Sequence, residues 1–315
     1  MQTSASRLSF IQLHIAVVLA GGAGLFAKFM EASPGVITCG RTLFGSLALA
    51  GTALWMKSSL RLHSRKDGFL LALSGAILAI HWFAFFVSIQ VSTVAIGLLS
   101  FSTFPLFVTF LEPLVFGERL HRHDIFTALI VMTGLFLVVP NWDLSHHLTQ
   151  GLLWGVLSAF TFAVLSLMSR SHVRRYPSLT VAFYQQAFAT LFALPFVLRW
   201  QDLPVGRDLF MLIVLGVVFT GFAQGLTVAS LRHLRAQTVG IAYGLEPVYG
   251  ILLAWFLLHE QPAARTLFGG FLICCAVTWA SFRPSPSASP QALSDTELPH
   301  PLPSPSRDDP QNPQP

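Results

Sequence analysis

Apolar stretches follow one another along nearly the whole chain, each about 20 residues long and so sufficient to cross a hydrocarbon core of roughly 30 Å. Polar and turn-forming residues punctuate them at Ser33-Pro34-Gly35, Lys57 to Asp67, Gly117 to Asp124, Pro140 to Gln150, Arg170 to Pro177, Arg199 to Asp208 and Arg232 to Arg235. This pattern predicts an all-α polytopic membrane protein. Its ten helices are expected over 8–28, 35–56, 68–89, 93–116, 124–140, 150–169, 178–198, 209–231, 236–258 and 264–282. No stretch is left for a soluble domain.

Composition agrees with the pattern, since 53% of the 315 residues are hydrophobic, only 10% are charged, and the mean hydropathy is +0.64. A net charge of +5 and a pI near 9.5 would suit a nucleic-acid binder if the cations shared one face. They sit instead in short loops between apolar runs, so no nucleic acid is expected as a partner and the charges read as topology signals. With the N-terminus inside, only Lys28, Arg41, Arg199, Arg207 and Arg265 of the 19 Lys and Arg residues fall on the outer side. That bias predicts a multi-pass protein of the inner (plasma) membrane with both termini cytoplasmic and a short N-terminal tail over 1–7.

Leu8 to Lys28 alone would also fit a signal peptide, but it is needed as the first helix of the repeat described next. Cys39, Cys274 and Cys275 lie inside apolar runs with no disulfide or metal-ligand spacing. Residues 283–315 are rich in Pro and Ser with almost nothing to bury, which predicts a disordered cytoplasmic tail without transport chemistry.

The sequence repeats itself at an offset of 142 positions, pairing Pro105 with Pro247, Glu118 with Glu260, and Trp82 with Gln224. Each proline is expected mid-helix, thirteen residues before a helix-closing glutamate: FPLFVTFLEPLVFGERL against EPVYGILLAWFLLHEQP. The repeats run over 8–140 and 150–282. Five helices in each is an odd number, so the second copy would enter the membrane from the opposite side and the repeats would be inverted.

Several motifs then converge. They are Lys28 after a Gly-rich first helix, Pro34 and Arg41 in SPGVITCGRTLFGSLALA, STFPLFVTFLEPLVFGERL, and the weaker echo around Pro247 and Glu260. Through them, residues 10–282 resemble the drug/metabolite transporter superfamily, and within it the EamA-type ten-helix exporters. The second half departs from the pattern, with His259 where glycine is common and no clear counterpart of Arg41. The resemblance implies an alternating-access carrier that moves amino acids or similar small metabolites, usually outward. It does not name the substrate.

Among candidate site residues, Glu246 lies about ten residues into the ninth predicted helix, where an ionised side chain costs roughly 2.5–3.5 kcal/mol on translocon scales. Pro247 lacks an N–H and would leave the Tyr243 carbonyl free at the same depth. Glu112, before Pro113, is the other mid-membrane acid, and a packing or gating role competes there with ligand contact. Arg41 is placed to hold a carboxylate with paired hydrogen bonds. Lys28 either joins it or snorkels to the interface.

Gly216, Thr220, Gln224 and Thr227 form a small and polar helix stripe that reads as a packing seam, except that Gln224 is too large for one and suits a cavity wall. Trp82, next to His81, offers a flat aromatic wall, with core packing as the alternative. Gln185 and Gln186 are weaker candidates. The loop histidines 121, 123, 146 and 147 have no matching acidic or cysteine set, so neither metal nor cofactor is expected.

These features argue against an intramembrane enzyme, which needs several catalytic His or Asp residues or a Ser dyad. A channel or receptor would not need duplicated inverted halves. The expected function is therefore a secondary transporter with a small-molecule substrate, with proton coupling through Glu246 as one reading and a purely substrate-driven cycle as the other. Export against import, the coupling ion and homodimer formation stay open.

Overall fold

The computed structural model describes residues 4–117, 122–138, 145–198, 204–230 and 242–281. The expectations for Glu118 and for the tail over 283–315 lie outside these residues. Among the described residues every regular element is a helix. The order is α1 (Ser4–Ala23), α2 (Phe26–Phe29), α3 (Pro34–Trp55), α4 (Arg65–Val91), α5 (Val94–Phe101), α6 (Phe104–Phe116), α7 (Arg122–Val138), α8 (His147–His172), α9 (Ser178–Leu198) and α10 (Gly206–Gly216). A π-turn (Val217–Phe222), α11 (Ala223–Ser230), α12 (Glu246–Leu258) and α13 (Ala264–Ser281) complete it.

Among the described residues, six stretches are long and apolar enough to cross a membrane: Leu8–Phe29, Pro34–Trp55, Arg65–Val91, Val94–Val115, His147–His172 and Ser178–Leu198. Shorter apolar helices cover Ile125–Val138, Glu246–Leu258 and Ala264–Ala276.

The outer surface is strongly apolar, as in a protein solvated by lipid, and the apolar core also encloses polar groups. Leu54, Leu114 and Phe256 stand well exposed, whereas Arg41, Ser74, His81, Ser88, Ser100 and Ser158 are buried. Inside, α4 packs on α8 and α9, α3 on α9 and α10, and α7 on α13. The α1 helix packs on α11 and α12, and α5 on α8 and α12.

Helix starts follow from local chemistry. Ser33 accepts from the Val36 N–H at 3.3 Å with Pro34 in the first turn of α3, Ser64 accepts from the Asp67 N–H at 3.1 Å, and Thr93 accepts from the Ile96 N–H at 3.2 Å.

The chain breaks where a continuous helix was expected. Pro105 and Pro247 are not mid-helix: each sits in the first turn of a new helix, α6 or α12, where a missing N–H costs nothing. The fourth predicted crossing is thus two helices joined at Ser102-Thr103, and the first is interrupted between α1 and α2. The helices α6 and α12 are both 13 residues long and both end on a left-handed residue, Gly117 at φ 71° and His259 at φ 55°. Their limits differ by the same 142 positions that relate the prolines.

Two glycines bring α1 against α12 backbone to backbone. A Cβ built on Gly21 would stand 2.6 Å from the Glu246 carbonyl oxygen and 2.8 Å from the Gly250 nitrogen. This contact fixes the start of α12, and with it Glu246. Gly21→Ala should therefore cost about 1–3 kcal/mol by overpacking a backbone that cannot retreat. Thermal unfolding in detergent checks this, and an unchanged midpoint would contradict it.

Candidate functional site

Arg41 lies on the face of α3 turned to the protein interior and is only 4% exposed. Its guanidinium carbon stands 3.4 Å from the centre of the Trp82 ring and 6.0 Å from that of Phe86, both on α4. Such a desolvated cation–π contact contributes about 2 kcal/mol. It does not satisfy the N–H groups, and Nε and Nη1 of Arg41 and Nε1 of Trp82 are buried with no hydrogen-bond acceptor among the described residues. Buried donors left unpaired are costly. These three are all donors gathered round one ring, an arrangement that suits an anionic group.

His81, the residue before Trp82, is fully buried. Its Nδ1 lies 3.0 Å from the Ser158 carbonyl oxygen and 2.9 Å from the Ser158 hydroxyl on α8. A carbonyl can only accept, so Nδ1 carries a proton, while Nε2 is buried with no hydrogen-bond partner among the described residues. Rings from three helices surround it, with centroids 4.5 Å away for Trp82, 5.0 Å for Phe162 and 5.3 Å for Phe101, and Phe104 of α6 stacks on Phe101 at 5.4 Å. Gln186 on α9 buries an Oε1 without a donor, one turn before Thr190, whose hydroxyl meets that of Thr42 at 3.0 Å. Its neighbour Gln185 donates to the Ser169 hydroxyl at 2.9 Å.

Glu246 is the first residue of α12 and partly buried, with the positive end of that helix behind its carboxylate. Arg41 and Glu246 act on each other electrostatically, yet no contact ion pair joins them. Tyr243, close enough to feel the Glu246 charge, shares a 2.7 Å hydrogen bond with the Thr227 hydroxyl of α11. A cation with free donors, an aromatic wall and a carboxylate not in contact with that cation thus share one interior region.

Other expected residues lie elsewhere. Lys28 is tied to another part of the chain: its Nζ donates to the Ser92 carbonyl at 2.8 Å and feels the charge of Glu260. Glu260, in the segment after α12, accepts from the Val94 N–H at 3.0 Å. Burial pushes its carboxyl above the usual range, against the opposing pull of the Val94 N–H, Lys28 and the Ala95 N–H. Glu112 forms an ion pair with Arg170 of α8.

The stripe on the eighth predicted helix is divided. Gly216 abuts α3 at the Arg41 carbonyl and Gly45, Thr220 donates to Leu215 across the π-turn at 3.0 Å, and Gln224 is exposed. The π-turn is the reason, since its wider coil rotates the residues that follow off the face on which α-helical spacing would put them.

Sequence reasoning missed Ser158 and the Phe101, Phe104 and Phe162 rings. A serine inside an apolar run and a few of 28 phenylalanines carry no signal of their own.

Comparison with known proteins agrees with this architecture. The model of the EamA-like transporter family matches twice, over residues 8–139 and 149–282. The chain is 28% identical over 216 residues to the pseudopaline exporter CntI of Pseudomonas aeruginosa, covering 68% of this chain and 75% of that protein. It is 25% identical over 263 residues to an uncharacterized transporter of Archaeoglobus fulgidus, covering 84% and 92%. Against the biotin transporter of Escherichia coli K12 it is 26% identical over 181 residues, covering 56% and 60%. One crystal structure of 21% identity shares the fold with a TM-score of 0.63, covering 89% of this chain and 96% of that one. Two matches to one family model, spanning nearly all of an apolar helical chain, make this protein a multi-pass membrane transporter of the EamA-like family and not an enzyme.

Proposed function

We propose that this transporter is a secondary carrier that exports an amphoteric small metabolite, such as an amino acid, by alternating access. The single observation that carries the reading is Arg41, a buried cation over Trp82 with two N–H groups lacking acceptors, facing Glu246 without a contact pair. A substrate carboxylate would satisfy the Arg41 donors, its ammonium group would answer Glu246, and its apolar part would lie on Trp82. His81, whose ring lies against Trp82, and Tyr243, which feels the Glu246 charge, are assigned to the same site. The exposed Gln224 is assigned to the wall where that space meets solvent.

The frame is ten crossings built as two inverted five-helix repeats over 8–140 and 150–282, in the inner membrane with both termini cytoplasmic. The double family match, the shared limits of α6 and α12 at the 142-residue offset, and the distribution of Lys and Arg support it. The outward direction follows the similarity to the pseudopaline exporter. Coupling to protons is assigned to Glu246.

Untargeted metabolite profiling of cells with and without the gene, followed by uptake of the affected compounds into proteoliposomes, tests the substrate class. The reading expects saturable transport of a compound bearing both a carboxylate and an amine. Saturable transport restricted to uncharged compounds would overturn it.

A further inference from the structure

We propose that two charged clasps, Lys28 with Glu260 and Arg170 with Glu112, close the opposite ends of the transport pathway and are released in alternation during the cycle. The inference rests on the carrier reading above but uses residues apart from the Arg41 and Glu246 region.

The first clasp grips one corner of the chain from both sides. Ser92, the C-cap of α4, gives its carbonyl to the Lys28 ammonium at 2.8 Å, and Val94, the first residue of α5, gives its N–H to Glu260 at 3.0 Å. A cation at a helix C-terminus and an anion at a helix N-terminus each complement the helix dipole. Their charges also attract one another. Lys28 comes from α2 and Glu260 from the segment after α12, so the corner between α4 and α5 cannot part from either without losing a charge-assisted hydrogen bond. Thr93 already caps α5 through the Ile96 N–H, so Glu260 is not needed to start that helix.

The second clasp joins Arg170, in the last turn of α8, to Glu112 of α6. Their side chains are 35% and 27% exposed, so the pair is partly open at the protein surface. Lys28 and Arg170 are 142 positions apart, the offset that relates Pro105 to Pro247 and α6 to α12. The two cations therefore hold equivalent places at the end of the first helix of each half, and in an inverted pair those places face opposite sides of the membrane.

Each reaches into the other half at its fourth helix. Lys28 acts with Glu260 after α12, and Arg170 pairs with Glu112 in α6. Both ties are made in this structure and so hold both ends closed; a carrier must not open at both ends together, so one tie is released while the other holds.

The test uses the full chain with Cys39, Cys274 and Cys275 replaced by serine and one reporter, Ser102→Cys, at the break between α5 and α6. It is reconstituted in proteoliposomes and labelled with an impermeant maleimide from either face. Glu260→Gln should raise the labelling rate from the face bearing Glu260 at least about fivefold, the lower end of ordinary coupling between two states. Lys28→Gln should act in the same direction, and the Lys28→Gln/Glu260→Gln double variant should add nothing beyond the larger single effect. Arg170→Gln should lower labelling from that face and raise it from the other. Glu260→Gln combined with Arg170→Gln should return toward the parent.

Unchanged rates in all variants, or Glu260→Gln and Arg170→Gln shifting labelling in the same direction, would overturn the clasps, provided the proteins stay monodisperse and helical. Should Glu260→Gln fail to fold, Lys28→Gln carries the same comparison. Loss of the carrier reading would show separately, as a parent protein that does not transport.

Discussion

Arg41→Met is expected to cripple transport at ordinary substrate concentrations while leaving the protein at least as stable as the wild type. Removing a buried guanidinium with two unpaired N–H groups relieves a desolvation cost of several kcal/mol, and an unbranched apolar side chain of similar reach keeps the packing against Trp82. An arginine kept only for structure would behave in the opposite way, because its loss would strand a partner. Substrate affinity in Arg41→Met should fall at least about thirtyfold, equivalent to about 2 kcal/mol for a lost charge-assisted contact. Arg41→Lys keeps the charge but not the planar fork and should recover only part of it. Thermal unfolding together with uptake kinetics checks both halves. A destabilised Arg41→Met that still transports with normal affinity would remove Arg41 from the site.

Glu246→Gln carries the second large effect. A carboxylate near the bilayer centre is costly when ionised, and taking up a proton removes that charge without moving the backbone. If Glu246 alternates between a proton and the substrate ammonium, an inward proton gradient drives outward substrate flux. In proteoliposomes with a pH gradient, wild-type protein should accumulate substrate uphill. Glu246→Gln should lose all acceleration by the gradient while still exchanging substrate for substrate at zero gradient. Wild-type flux that ignores the gradient would contradict the proton role and leave Arg41 as the standing partner of the carboxylate.

The pattern of apolar runs located the helices closely: 35–56 is Pro34–Trp55 and 178–198 is Ser178–Leu198. The reason is that lipid demands apolar residues on every outward face, so length and hydrophobicity alone mark a crossing. The interior breaks were less legible. Pro105 and Pro247 read as mid-helix residues because a proline at a first turn and a proline inside a helix look alike when apolar residues flank both. The π-turn at Val217–Phe222 has no compositional mark, and it turned the expected Gln224 stripe off its face.

Arg41, His81, Trp82, Tyr243 and Glu246 were picked out because polar and aromatic groups at that depth are expensive or conspicuous. Their common neighbourhood follows from tertiary packing, as does the pairing of His81 with Ser158 across α4 and α8. For Lys28 the sequence offers a substrate carboxylate or snorkelling, and it does not reveal that the Ser92 carbonyl stands 2.8 Å from the ammonium. The place of Arg170 was there to be read, 142 positions after Lys28, once the register of the two halves was known.

The most direct test of the central claim, a substrate held in turn from either side at the Arg41 and Glu246 region, is counterflow in proteoliposomes. Vesicles loaded with unlabelled substrate are diluted into a trace of labelled substrate with no ion gradient. A carrier with one alternating site predicts a transient overshoot of internal label that saturates with substrate and disappears in Arg41→Met. Label that merely equilibrates, at a rate linear in concentration and unaltered by unlabelled substrate on the far side, would mean a pore and would contradict the account.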